Sequence, residues 1–165
     1  MDDVVADWHE AAQTFLRLRW NKDHERIPND DWERIKRNAR FYRDLPLKEN
    51  AHDLVQYCQD AVSNGLADSL AFLSAIPRNN DMQWAIQDKV WWAHEHFPNI
   101  PVFLGPYSHD KQHHCRPGDI LIDDRTSNCT EWQAAGGLSH IYKNWPDCKV
   151  WLDSVLQAPK TAKTN

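Results

Sequence analysis

Short apolar runs alternate with amphipathic stretches along most of this chain, and that alternation constrains its fold more than any single residue does. Ser69-Leu70-Ala71-Phe72-Leu73, closed by Ser74-Ala75-Ile76-Pro77, has the length of a buried strand. Val102-Phe103-Leu104 makes a second short run before Gly105-Pro106, Asp119 to Ile122 a third, and Ser139 to Tyr142 a fourth. Between these runs the spacing predicts helices over 81–97 and 128–135, and ahead of them a helix over 48–63 stopped by Asn64-Gly65. Parallel neighbours need crossover connections, so this order predicts an α/β fold in which a parallel sheet is flanked by helices on both faces. Nearer the amino end, Trp8, Ala11, Ala12, Phe15 and Leu16 recur at helical spacing, and a second amphipathic stretch begins at Asp31-Trp32. The polar segment 21–30, with Pro28, reads as the loop between them.

The rest of the composition narrows the class. With 165 residues, 41% hydrophobic and 26% charged, the chain has the make-up of a folded soluble protein with one main core. Its formal charge of −5 and its scattered Lys and Arg argue against binding a nucleic-acid polymer. No apolar stretch approaches the roughly 20 residues needed to cross a bilayer. Cys58, Cys115, Cys129 and Cys148 form no CxxC pair and no apolar leader precedes them, which points to the reducing cytoplasm.

Ligands in open parallel sheets bind beyond the carboxyl ends of the strands, and the polar signals of this chain fall there. Ser74 follows the first run, Lys111 lies in the loop after the second, and Asp123-Asp124 closes the third. Two adjacent carboxylates at the end of an apolar strand are costly to desolvate without a cation, and oxygen ligands suit a hard ion such as Mg²⁺. The plainer alternative has Asp124 pairing with Arg125 or capping the next helix while Asp123 faces water. A zinc site from His109, His113, His114 and Cys115 is the weaker reading, because no second ligand pair stands at zinc-site spacing.

In this order, Phe72-Leu73-Ser74, then Lys111, then Ile120-Leu121-Ile122-Asp123-Asp124 resemble three successive motifs of the haloacid-dehalogenase-like phosphatase superfamily. The longer string from Pro117 through Asp123-Asp124-Arg125 to Trp132-Gln133-Ala134-Ala135-Gly136-Gly137 is similar to its 5′(3′)-deoxyribonucleotidase branch. The resemblance implies a Rossmann-like core formed by residues 1–6 and 48–157 and a small helical cap inserted at 7–47; the 158–165 tail reads from its own sequence as a frayed, disordered end. The resemblance also implies a Mg²⁺-dependent phosphohydrolase acting on (deoxy)nucleoside monophosphates or other small phosphate esters, with a homodimer as an allowed assembly.

Laid on the first motif of that superfamily, Met1-Asp2-Asp3-Val4-Val5-Ala6-Asp7-Trp8 puts Asp2 at the general acid/base. The nucleophilic Asp falls one position before Met1, at the end of a core strand that is missing from the numbered chain. Two expectations follow: a longer protein whose start lies upstream and supplies that strand, or a noncatalytic nucleotide- or protein-binding protein on the same fold. By resemblance, Mg²⁺ is held by Asp123 or Asp124 and the Asp2 carbonyl, with Lys111 and Ser74 assisting on the phosphoryl group. Ser74, Ala75, Arg78, Trp8 and Phe15 are the expected substrate contacts, and Trp20 and Phe41 are further candidates for stacking on a base.

Overall fold

The computed structural model describes residues 1–17, 27–77, 81–105 and 107–157. Arg78, Trp20 and the 158–165 tail therefore lie outside the described residues. Helices α1 (Trp8–Leu16) and α2 (Asn29–Arg37) come first, then α3 (Ala51–Ser63), β1 (Phe72–Ala75), α4 (Ala85–His96) and β2 (Val102–Gly105). A 3-10 turn over Ser108–His114 leads to β3 (Ile120–Asp123), α5 (Thr126–Ala134), β4 (Leu138–Ile141) and α6 (Trp145–Leu156). The loop expected after β2 is thus this 3-10 turn, tied at its start by the Asp110 carboxylate, which accepts from the Tyr107 N–H at 2.9 Å.

Among the described residues all the strand pairing is parallel, as the alternation of strands and helices requires, but the four strands form two pairs. β1 pairs with β2 from Phe72↔Val102 to Ala75↔Gly105, and β3 with β4 from Ile120↔Leu138 to Asp123↔Ile141. Met1 lies between the pairs at their carboxyl ends. Its amino group donates to the Leu73 carbonyl of β1 at 3.3 Å and stands within electrostatic reach of Asp123 at the end of β3.

The core gathers around Trp92, Ala93 and Phe97 from α4, Leu54 and Val55 from α3, Cys148 and Leu152 from α6, and Val4 to Ala6 from the amino-terminal turn. Trp92 is fully buried and its indole donates to the Leu45 carbonyl at 2.7 Å, whereas Trp91 is 37% exposed under the Arg43 guanidinium instead of packing inside. Asn144 starts α6 by accepting from the Asp147 N–H at 2.9 Å, with Pro146 in the first turn where its missing N–H costs nothing.

Residues 7–47 leave and rejoin the rest of the chain at one point. Ala6 and Leu47 form an antiparallel bridge, Asp7 N–H donates to the Pro46 carbonyl and Lys48 N–H to the Val5 carbonyl, each at 2.8 Å. The Lys48 ammonium adds an ion pair to Asp7 at 3.3 Å. Within this insert α1 and α2 are joined by an aromatic cluster, Trp8 lying 6.2 Å from Trp32 and 5.8 Å from Phe41 between ring centres.

Candidate active site

Asp2 owes its placement to a tight amino-terminal turn. Asp3 adopts a left-handed backbone, φ 55°, and its N–H donates to the Ala6 carbonyl at 2.7 Å, while Val5 N–H reaches back to the Met1 carbonyl at 3.0 Å. Asp side chains tolerate this conformation better than most, and the Asp3 carboxylate then accepts from the His9 N–H at 2.9 Å, which ties the turn to α1. The turn directs the Asp2 carboxylate at α4, where Oδ2 accepts a very short hydrogen bond from the Lys89 ammonium.

Ser74 sits on β1 with only 1% of its surface exposed, and its hydroxyl oxygen accepts from the same Lys89 ammonium at 3.1 Å. One lysine therefore connects the end of β1 to the amino-terminal turn. A second ammonium serves β3: Lys111, on the 3-10 turn, donates to Asp123 Oδ2 at 2.5 Å. Asp123 Oδ1 accepts from the Arg125 N–H at 3.0 Å and from the Asn128 side-chain amide at 2.8 Å. Ser108 donates to the Asn128 oxygen at 2.8 Å and so fixes that amide. Asp123, 2% exposed, does not face water as the plainer reading had it, and Asp124 beside it is half-buried.

The electrostatics follow from this pairing. Burial pushes the Asp2 carboxyl up, but the Lys89 ammonium and the amino terminus more than offset it and leave the acid below its ordinary value. Asp123 behaves alike: burial raises it, while Lys111, the amino terminus and the Arg125 N–H together bring it below normal. Burial, reinforced by the Lys111 charge, lowers the Met1 amino group to about 6. Its neighbours Asp2, Asp123, Lys111 and Lys89 mark the floor of one polar centre at the strand ends.

Tyr42 roofs that centre. Its ring lies 4.2 Å from the Lys89 nitrogen, and burial, with the Asp2 charge, raises its hydroxyl well above the ordinary range. Trp8 reaches toward the centre through Phe41, whose ring lies 5.8 Å from Trp8 and 5.7 Å from Tyr42. Phe15 is more remote: it packs edge-on against Phe41 at 6.2 Å and is 40% exposed. Ala75, next to Ser74 on β1, is half-buried. The structure thus brings Asp2, Ser74, Lys111 and Asp123 together and leaves Phe15 at the margin.

Lys89 and Tyr42 are the site residues that sequence reasoning missed. A usable signal existed for Lys89: on α4 the buried positions Ala85, Lys89, Trp92 and Ala93 share one face at helical spacing, so the lysine falls on the core stripe.

The donor chemistry suits a hard cation in kind. Asp2 Oδ1 is buried and without a hydrogen-bond partner, which leaves an uncompensated anionic oxygen beside the other carboxylates. Among the described residues no three His, Cys, Asp or Glu side chains converge as a ready-made cage, because Lys89 and Lys111 draw Asp2 and Asp123 toward themselves. The histidines of the 3-10 turn lie outside this centre. His109 and His113 flank the Asp110 carboxylate at 3.5 and 3.9 Å and are largely exposed, and the Cys115 thiol is turned toward the Arg116 and Trp132 carbonyls.

The family model described as 5′ nucleotidase, deoxy (pyrimidine), cytosolic type C protein matches residues 1–147, from the Asp2 turn through both strand pairs. The chain belongs to this deoxy 5′ nucleotidase family. Its fold is the haloacid-dehalogenase-like α/β fold, with parallel strands flanked by helices. Among solved structures, a hydrolase from Streptococcus pneumoniae TIGR4 superposes with a TM-score of 0.53 at 18% identity, over 93% of this chain and 95% of that one. At that identity the likeness speaks to the fold. No protein of curated function matches the chain. Among the described residues of this nucleotidase family member, no helix is long and apolar enough to cross a membrane.

Proposed function

We propose that this member of the nucleotidase family removes phosphate from (deoxy)nucleoside monophosphates in the cytoplasm, with Mg²⁺ as cofactor and through an aspartyl-phosphate. The observation that carries the reading is the convergence of Asp2, Ser74, Lys111 and Asp123 at the carboxyl ends of parallel strands. Residues 7–47, closed at their base by the Ala6–Leu47 bridge, serve as the cap over the substrate.

In the proposed reaction a carboxylate one position before Met1 attacks phosphorus in line, forming a P–O bond as the bond to the nucleoside oxygen breaks. Asp2, whose basic form the Lys89 ion pair favours, takes a proton from the water that cleaves the acyl-phosphate and restores the carboxylate, and gives that proton to the departing alkoxide of the next ester. Lys111, anchored by Asp123, places positive charge beside the phosphoryl oxygens, and the Ser74 hydroxyl near the end of β1 donates to one of them. Asp124 and the Asp2 carbonyl are the proposed holders of Mg²⁺. Asp123 contributes mainly as the anchor of Lys111, since both its oxygens already accept hydrogen bonds. The bound ion would supply charge neutralisation at the phosphoryl group. Trp8, half-buried and packed edge-on against the buried Phe41, is the ring of this cluster with surface to offer the nucleoside, while Phe41 and Tyr42 support it from the core.

The test uses the protein at the length its gene encodes. Release of inorganic phosphate from deoxynucleoside monophosphates should require Mg²⁺, cease with EDTA, and disappear in D124N. Turnover indifferent to EDTA overturns the mechanism. The DNA just upstream of the Met1 codon gives a second check: an in-frame apolar run ending in Asp supports the enzyme, and an in-frame stop favours a noncatalytic nucleotide- or protein-binding role.

A further inference from the structure

Lys89 has no exposed surface, yet it carries a charge into the core of the molecule. An ammonium has three N–H donors, and here each faces a different part of the chain: Asp2 Oδ2 in the amino-terminal turn, Ser74 Oγ on β1 at 3.1 Å, and the Tyr42 ring at 4.2 Å. Packing alone would be served better by a methionine or leucine, which carry no desolvation cost. The helix beneath is itself tied at two points to the segment that follows α2. The neighbouring Asp88 is buried and pairs with Arg40 at 2.6 Å, and Trp92 holds the Leu45 carbonyl. The ammonium is therefore a fixed point.

Its effect on Asp2 is unequal between the two carboxylate oxygens. Oδ2 is engaged by Lys89, while Oδ1 is buried and has no hydrogen-bond partner. A carboxylate on a short side chain rotates readily unless one oxygen is pinned, and an acid/base group loses rate steeply when its oxygen is misplaced by an ångström.

We propose that Lys89 is a positioning residue: it holds Asp2 by Oδ2, with Ser74 and Tyr42 fixing the ammonium, and thereby fixes Oδ1, which no protein donor occupies, as the oxygen that takes and returns the proton. This rests on the reading of Asp2 as the general acid/base. The chain then uses two lysines for separate tasks, Lys111 beside the phosphoryl group and Lys89 behind the proton-transfer group.

Steady-state kinetics on the Mg²⁺-loaded protein at its natural length, comparing D2N, K89M and K89R, separate the alternatives. In K89M kcat should fall roughly a hundredfold or more with KM changed by less than about threefold, since substrate is held elsewhere. K89R keeps a charge and a donor for Oδ2 and should recover at least about tenfold of that loss. In the D2N background K89M should add little further loss, because Lys89 acts through Asp2. Where K89M fails to fold, K89R carries the test against wild type, with kcat lowered at unchanged KM and melting temperature. A K89M protein with wild-type kcat, or one whose loss appears wholly in KM, overturns the positioning role while leaving Asp2 intact as acid/base. A D2N protein with wild-type turnover overturns the reading of Asp2 and this proposal with it.

Discussion

Lys111 and Asp123 illustrate how much of this centre rests on single atoms. Both are buried and each is the other's main compensation, at 2.5 Å. Truncating one partner of such a pair leaves the other charge stranded in the interior, so K111M should lower stability by about 3–5 kcal/mol, with K111M/D123N losing distinctly less. Urea denaturation of K111M, D123N and the double variant measures the coupling, and a double-variant loss equal to the sum of the two single losses would show that the pair is not coupled. The pH dependence follows from the direction of the Asp123 shift. A carboxyl held below its ordinary value contributes stability that is complete above about pH 4 and is lost as pH falls through its lower native value. Between pH 5 and 2 the wild type should therefore lose stability more steeply than D123N, and parallel curves would refute the assignment. Asp123 and Ser74 were legible because each ends an apolar run. Lys89 was passed over although it falls on the core stripe of α4, because a lysine within an amphipathic helix ordinarily marks the solvent face, and its partner Asp2 comes across from it only in the folded arrangement.

The turn between α5 and β4 depends on side chains at a distance in sequence. Gly136 takes φ +95°, and a Cβ on Gly137 would stand 2.3 Å from Trp132 Nε1 and 2.6 Å from Cys115 Sγ. Trp132 is buried and its indole donates to the Asp119 carbonyl at 3.0 Å, just ahead of β3, so it cannot move aside without loosening the strand that ends in Asp123. G137A should cost about 1–3 kcal/mol by overpacking, which for a chain of this size is roughly 3–10 °C in Tm by circular dichroism. A melting temperature equal to wild type would mean that the indole yields freely. The Gly136-Gly137 break was readable from sequence as the end of a helix, but its second constraint, contact with Cys115, was not, since the cysteine approaches from beyond β3. Helix α6 was missed although Asn144, Pro146 and Asp147 are a start signal, because its buried face, Cys148 and Leu152, is interrupted by Lys149 and Asp153. At the other end of the chain, Asp7 caps α1 by accepting from the Glu10 N–H at 3.1 Å, and the helical spacing from Trp8 onward was sufficient to place that helix.

For the molecule as a whole, the arrangement of the four strands in two pairs has a measurable consequence. Residues along a strand send their backbone groups alternately to either side. Phe72 N–H donates to the Pro101 carbonyl at 2.8 Å, so Phe72 and Ser74 face β2, and Leu73 presents its groups to the opposite edge, where its carbonyl meets Met1. On β3 the Asp119 and Asp123 carbonyls accept from the Leu138 and Tyr142 N–H groups, each at 2.8 Å, so Ile120 and Ile122 face away from β4. Each pair thus has an inner edge whose amides the ladders do not use. In the chain as numbered, the amides of Leu73, Ile120 and Ile122 should exchange with deuterium at least ~10-fold faster than those of Phe72, Ser74, Leu121 and Asp123, because fewer contacts must break to expose them. Residue-resolved exchange by NMR decides it. Equal protection on both sides of β1 and β3 would mean that the inner edges are covered and that the sheet is continuous. Fast exchange confined to those three positions would identify the edges available to an extended segment lying parallel to β1 and β3 and ending beside Asp2, which is the geometry the proposed nucleophile requires.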